Sequence, residues 1–281
     1  MKKTSKILAV VLVVALAIAT LAIFAACGES GEVTGECHYT NYGHEYGVKV
    51  TVTVKNDKIT EVKLYSDEES GYVRTSSTWK ENQNPGDLGY TKAEAAYESW
   101  IDENIVGQKI NTILGWVATA AADDQSVGAG EKLTGATQSS ARIIVAVQNA
   151  LCNLKSVTKV TGECKYTSKY GDYGVKLDAF VRSNKIVGVR LYTKGETGWT
   201  RTSATWTEGQ NAGDLGYAKT EAAYATYITE QIIGQKVKTV MSWEATATAE
   251  GQTVTEGEKI AGATQSSARI IVALQDALGK L

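Results

Sequence analysis

The stretch Thr134-Gly-Ala-Thr-Gln-Ser-Ser140 and its near copy Ala261-Gly-Ala-Thr-Gln-Ser-Ser267 gather residue types suited to holding a phosphate. Each is a glycine turn leading into an amphipathic run. In the first, Ser139 to Leu151, residues Ala141, Ile144, Val145, Gln148 and Leu151 keep helical spacing. The first amides of a helix lack internal partners, and the helix dipole adds partial positive charge there. Such an end is a ready anion site, with phosphate its usual guest. Gly135 and Ala136, with Gly262 and Ala263, are expected to leave the backbone accessible. Thr137, Ser139 and Ser140, with Thr264, Ser266 and Ser267, offer hydroxyls. The same hydroxyls would serve in plain N-capping. Residue types alone leave both readings open.

The two stretches belong to a long internal repeat. Thr34-Gly-Glu-Cys37 recurs as Thr161-Gly-Glu-Cys164, Trp79 as Trp206, Trp116 as Trp243 and Thr137 as Thr264. Residues 34–154 align on 161–281 without a gap, and roughly 70 of about 121 positions match. A period of this length is a duplicated whole domain. Two domains of 34–154 and 161–281 are therefore expected. The short junction at 155–160 would hold them side by side. Differences between the copies exclude some chemistry. The two histidines, His38 and His44, correspond to Lys165 and Gly171 in the second copy, which excludes a shared histidine-based catalytic or metal site. No Cys-x-x-Cys pair and no Gly-x-Ser-x-Gly elbow occurs.

The elements that must position the motif can be read within one copy. Val48, Val50, Val52 and Val54 alternate with polar residues, the period of a half-buried strand. Asn56-Asp57-Lys58 reads as a turn into a second strand through Ile59, Val62 and Leu64. Thr34 to Thr40 adds a third. Thr91 and Glu94 have capping-box spacing ahead of a helix through Ala95, Ala96, Trp100, Ile101 and Ile105, with Gly107 as its stop. Asp87-Leu-Gly-Tyr90 and Asp214-Leu-Gly-Tyr217 read as loops before that helix. Strands first and helices after predict an α+β domain in two tandem copies, each with helices packed on an antiparallel sheet.

The chain's 281 residues have ordinary globular composition, and a net charge of −2 provides no basic field for nucleic acid. Lys2, Lys3 and Lys6 precede an uncharged apolar run from Ile7 to Phe24, and Ala25-Ala26 lead to Cys27. This reads as an export signal over residues 1–26. Its ending resembles the lipobox of bacterial lipoproteins, in which the cysteine is acylated. Cys27 would then be the lipidation site and 27–33 the tether, with the rest of the chain on the extracytoplasmic face of the cell membrane. An uncleaved membrane helix is the other reading of that run. Cys37, Cys152 and Cys164 remain, and read as buried free thiols. A bridge between the copies stays open.

The run Gly-Ala-Thr-x-Ser-Ser, followed by an amphipathic helix ending in Ala-Leu, resembles the signature of FMN-binding domains. With the lipobox and the duplication, the whole chain is similar to two-domain flavin lipoproteins of Gram-positive extracellular electron transfer. In that family a flavin transferase joins the motif threonine to the FMN phosphate. The resemblance implies two covalent FMN groups, as phosphoesters on Thr137 and Thr264. The family usually has Asp six residues before that threonine, where this chain has Glu131 and Glu258. It also favours a hydroxyl residue before the glycine, as Thr134 provides and Ala261 does not. For the ring, Arg74-Thr-Ser-Ser-Thr-Trp79 and Arg201-Thr-Ser-Ala-Thr-Trp206 supply a flat face and a cation. Trp79 and Trp206 read equally as core, and Trp116 and Trp243 more so.

The expectation is an electron carrier rather than an enzyme. It would relay electrons from a membrane quinol-linked oxidoreductase to extracellular acceptors. A lipoprotein that holds flavin noncovalently would use the same residues. A structural surface lipoprotein without a cofactor explains the anchor and the repeat but not the helix-opening Gly-Ala-Thr.

Overall fold

The computed structural model describes residues 28–128, 132–255 and 259–281. The export segment 1–26, Cys27, Glu131 and Glu258 lie outside the described residues. Among the described residues no helix is long and apolar enough to cross a membrane.

Strands β1 (Gly31–Asn41), β2 (His44–Lys55) and β3 (Lys58–Leu64) form an antiparallel sheet in that order. The alternation in β2 puts Val48, Val50, Val52 and Val54 in the core, and Ile59 of β3 joins them. The β2–β3 turn uses Asn56 and Asp57 at φ of 51° and 63°, the left-handed pair that a two-residue hairpin requires. Next come α1 (Asp67–Ser70), α2 (Tyr90–Asn104) and α3 (Ile110–Leu114). The hairpin β4 (Ala118–Ala120) and β5 (Gln125–Val127) follows, and then α4 (Thr137–Leu151). The order then recurs. A sheet of β6 (Thr158–Ser168), β7 (Gly171–Arg182) and β8 (Lys185–Leu191) leads to α5 (Lys194–Thr197) and α6 (Tyr217–Tyr227). After α6 come a π-helical turn at Ile228–Ile232, α7 (Val237–Met241), β9 (Ala245–Ala247), β10 (Gln252–Val254) and α8 (Thr264–Leu278). The fold is thus mixed α and β, with antiparallel sheets covered by helices.

Helix α4 lies across β1 and β2, and α8 across β6 and β7. The close approach is set by glycine. A Cβ on Gly35 would sit 2.2 Å from the Ala150 nitrogen, and one on Gly162 would sit 2.1 Å from the Ala273 oxygen. The same helices supply polar groups to the outer strand, which would otherwise present an open edge. Asn149 and Asn153 donate to the Glu36 and Thr34 carbonyls at 2.8 and 2.9 Å. In the second copy Asp276 accepts from the Glu163 amide at 2.9 Å, and Lys280 donates to the Thr161 carbonyl at 2.8 Å.

One sequence expectation is corrected. Thr91 caps nothing: α2 begins at Tyr90 behind Gly89, whose φ of 76° makes the turn, with no side-chain cap. Capping boxes close α1 and α5 instead, through Ser66 with Glu69 and Thr193 with Glu196. Of the segments read as tether and junction, residues 31–33 lie in β1 and residues 158–160 in β6. Cys37, Cys152 and Cys164 are free thiols; burial pushes the first up to about 11, the second to about 12 and the third to about 11.

Where the copies differ on the outer sheet face, they meet. Thr53 and Thr60 of the first copy correspond to Phe180 and Val187, both of which join the first copy's core cluster. Glu61 corresponds to Gly188, where a Cβ would sit 1.8 Å from the Leu114 oxygen. Arg182 bridges the copies: it ion-pairs with Asp57, donates to Ser156 at 2.9 Å and reaches Asn111 at 3.3 Å.

Gly35→Ala should cost about 1–3 kcal/mol in urea unfolding, because the added methyl has no room against α4. The joint should also respond to acid. Burial works to raise the Asp57 carboxyl, but the Glu29 amide and Arg182 hold it below the usual range. Its contribution is therefore full above an unfolded pKa of about 3.9 and lost as pH falls through the folded value. Thermal unfolding from pH 7 to 3 should show a smaller acid loss in Asp57→Asn than in the parent.

Candidate functional site

Both long helices start without a side-chain cap. Helix α4 begins at Thr137, two residues earlier than its apolar spacing implied, behind Ala136 at φ −139°. Helix α8 begins in the same way at Thr264 behind Ala263. The first backbone hydrogen bond is Ser140 N–H to the Ala136 carbonyl at 3.0 Å, with Ser267 to Ala263 at 3.1 Å its counterpart. The amides of the three preceding helical residues have no backbone acceptor among the described residues. No described residue hydrogen-bonds the Thr137 or Thr264 hydroxyl, and both threonines are half-buried.

The turn before each threonine is held from behind by the second serine. Ser140 Oγ accepts from the Leu133 amide at 2.8 Å and donates to the Ala136 carbonyl at 2.9 Å. Ser267 Oγ does the same for Ile260 and Ala263, at 2.8 and 3.0 Å. The glycines are fixed twice over. Gly135 and Gly262 have φ of 78° and 75°, a region closed to most side chains. A Cβ on them would lie 2.3 and 2.1 Å from the carbonyl oxygens of Gly86 and Gly213. Leu88 and Leu215 donate amides to the glycine carbonyls at 3.0 Å. The loop read only as a connector is therefore a brace for the helix mouth.

These contacts correct the expected roles of several residues. Ala136 and Ala263 are fully buried rather than accessible. Ser140 and Ser267 face inward and are spent on the turn. Ser139 and Ser266 are buried too, near Thr75 at 3.5 Å and Thr202 at 3.3 Å. Those threonines bond in turn to the hydroxyls of Tyr97 and Tyr224, whose burial raises them above the usual phenol range. Arg74 is committed to Asp67 and Glu94, at 3.2 and 2.6 Å. Arg201 is paired with Glu221 at 2.9 Å. Neither is a free cation.

In the second copy Thr264 opens onto a cleft of about 1950 Å³, which Gly262, Ser266, Arg201 and Trp206 also line. Trp206 is shared between the two expected roles: one part packs on the core and another lines the cleft. Its indole N–H is held by Asp214, as that of Trp79 is held by Asp87 at 3.2 Å. Trp116 and Trp243 are partly buried against the core, and their carbonyls accept from Gln148 and Gln275 at 2.7 and 2.8 Å.

The residues that the motif reading missed are Arg142 and Arg269, one turn along each helix. Both are buried, at 4% and 3% exposure. Arg269 lines the cleft beneath Thr264. It donates to the Tyr166 hydroxyl at 3.1 Å and to the Arg201 carbonyl, over the stacked rings of Tyr166 and Tyr173. Arg142 repeats this with Tyr39, the Arg74 carbonyl and Tyr46. Among the described residues no carboxylate is paired with either, and each brings a positive charge to the site. An arginine inside Ala-Arg-Ile-Ile-Val was the sequence signal, since such a run does not bury a charge without a purpose.

The donor set fits a phosphate carrying a planar ring. It comprises three unpartnered amides, an unengaged hydroxyl, a buried guanidinium and flat aromatic faces in a roomy cleft. Residues 43–152 match the family model described as FMN-binding domain. The match spans Arg74, Trp79, the Gly135–Ser140 turn and Arg142, and supports a flavin-binding protein with FMN as its cofactor. No curated protein and no solved structure matches the chain.

Ser267→Ala strands the buried Ile260 amide. It should lower stability by about 1–3 kcal/mol in urea unfolding.

Proposed function

We propose that the chain is an extracytoplasmic electron carrier with two FMN groups. They are joined as phosphoesters to Thr137 and Thr264, one in each of two tandem flavin-binding domains. The observation that carries this reading is the unengaged threonine hydroxyl at an uncapped helix start, repeated in both copies. A capping threonine would spend its oxygen on its own helix. Here a serine three residues further along the helix closes the turn, and the threonine oxygen is left over. Holding the phosphate would fall to the Thr137 and Thr264 hydroxyls, the amides beside them, and Arg142 and Arg269 beneath. Trp79, Trp206 and the tyrosine pairs would supply faces for the ring. Bound FMN would contribute one- and two-electron chemistry.

Maturation would need a flavin transferase, and the anchor would be acylated Cys27 at the cell membrane. The electron donor would be a membrane quinol-linked oxidoreductase and the acceptors extracellular. Intact mass after co-expression with a flavin transferase tests the assignment. The parent should gain two FMN units, and Thr137→Ala and Thr264→Ala should each lose one. Unchanged masses in those variants would refute it.

A further inference from the structure

The second cleft is not built from the second copy alone. Asp123 and Asp124, from the β4–β5 turn of the first copy, line the same cleft as Thr264, Arg201 and Arg269. The contact is made, not incidental. Asp123 accepts from the Thr193 hydroxyl at 2.6 Å and the Gly195 amide at 2.7 Å. Against the pull of its burial, these bonds hold its carboxyl below the usual range. A Cβ on Gly195 would already sit 2.5 Å from the Asp123 carboxylate, so the two surfaces are in close contact. Asp124 is more buried, and burial pushes its carboxyl up; Arg201 and Ser126 pull the other way.

Register shows that this is a cross-copy feature. The second copy's own turn carries Glu250 and Gly251 at the corresponding positions. Its neighbours Ala249 and Gln252 line the cleft, whereas Glu250 and Gly251 do not. Residues at these two positions thus turn away from their own copy's cleft, and Asp123 and Asp124 turn toward the next one. The second cleft's own carboxylates are Asp214, tied to Trp206, and Glu221, paired with Arg201. The first copy adds two more, both within the electrostatic reach of Arg201.

We propose that the second cleft is a composite site, with an acidic wall lent by Asp123 and Asp124 that makes its flavin harder to reduce. The inference rests on the flavin reading of Thr264 given above. Two electrons and one proton entering an oxidised flavin leave one added negative charge on the ring. Carboxylates lining the same partly desolvated cleft oppose that charge more strongly than they would in water. Nearly identical motifs would thereby receive unequal potentials, and electrons would rest preferentially on the first copy's flavin.

The test uses the mature full-length chain, co-expressed with a flavin transferase. A Thr137→Ala background leaves only the second flavin, and a Thr264→Ala background only the first. Each is titrated with dithionite, using redox mediators and the flavin absorbance. In the Thr137→Ala background, Asp123→Asn with Asp124→Asn should shift the second flavin about tenfold toward reduction. For a two-electron couple that is about 30 mV upward. Asp123→Glu with Asp124→Glu should leave the potential near the parent's, and high salt should shrink the difference. The first flavin should not respond. The single variants Asp123→Asn and Asp124→Asn give the same readout if the double variant does not fold. A flavin present on Thr264 whose potential ignores these changes, or two flavins that shift equally, would overturn the proposal. Absence of flavin mass from the Thr137→Ala protein would instead overturn the flavin reading of Thr264, and the proposal with it.

Discussion

Each long helix is closed at its start by a serine one turn inside it, and everything at the site follows from that substitution of labour. A helix must find partners for its first amides and fix the chain that enters it. Ser140 and Ser267 meet the second need from behind, by clamping the entering turn to the helix. The glycine before each turn sits at positive φ under a neighbouring carbonyl, which leaves one backbone path into the helix. The threonine at the mouth is consequently held at the first helical position with its hydroxyl unspent. The three amides beside it stay open, and a buried arginine lies one turn below. A rigid mouth of this kind needs little reorganisation to take an anion, which is where preorganised sites gain their strength.

The second consequence concerns how the halves are joined. The sheets of both copies carry the same helix-covered face. Only the second copy has an apolar outer face, through Phe180 and Val187 where the first has Thr53 and Thr60. A one-sided sheet in the first copy and a two-sided sheet in the second make the pairing directional. That direction brings the β4–β5 turn against α5 and the second cleft. Two sites of near-identical sequence thus stand in different surroundings. On the proposed reading, this converts a duplication into an ordered pair of carriers.

Much of the fold could be read in the residues. The valine alternation in β2, the Asn-Asp turn and the helical rhythm after the Gly-Ala-Thr motif each reflect a local physical rule, and the elements follow them. Reading failed where tertiary contact overrode the local signal. Thr91 and Glu94 have capping-box spacing, but Gly89 makes the turn and Arg74 takes Glu94. Ser140 and Ser267 looked like ligand groups because the sequence gives a hydroxyl's position and not its direction. The brace from Leu88 and Leu215 was invisible, because it joins loops far apart in sequence. Arg142 and Arg269 are legible in the sequence, because a lone charge in an apolar helix asks for an explanation. The cross-copy carboxylates could not have been inferred from either copy taken singly.

On the reading proposed here, two threonine oxygens carry FMN. Trypsin would release the two motifs as separate fragments, residues 133–142 and 260–269, since each lies between a lysine and an arginine. Peptide mapping of the protein purified from cells that make a flavin transferase reads the modification directly. Both fragments should carry the FMN mass, localised by fragmentation to Thr137 and Thr264. Two unmodified fragments, or flavin localised to the neighbouring serines, would contradict it.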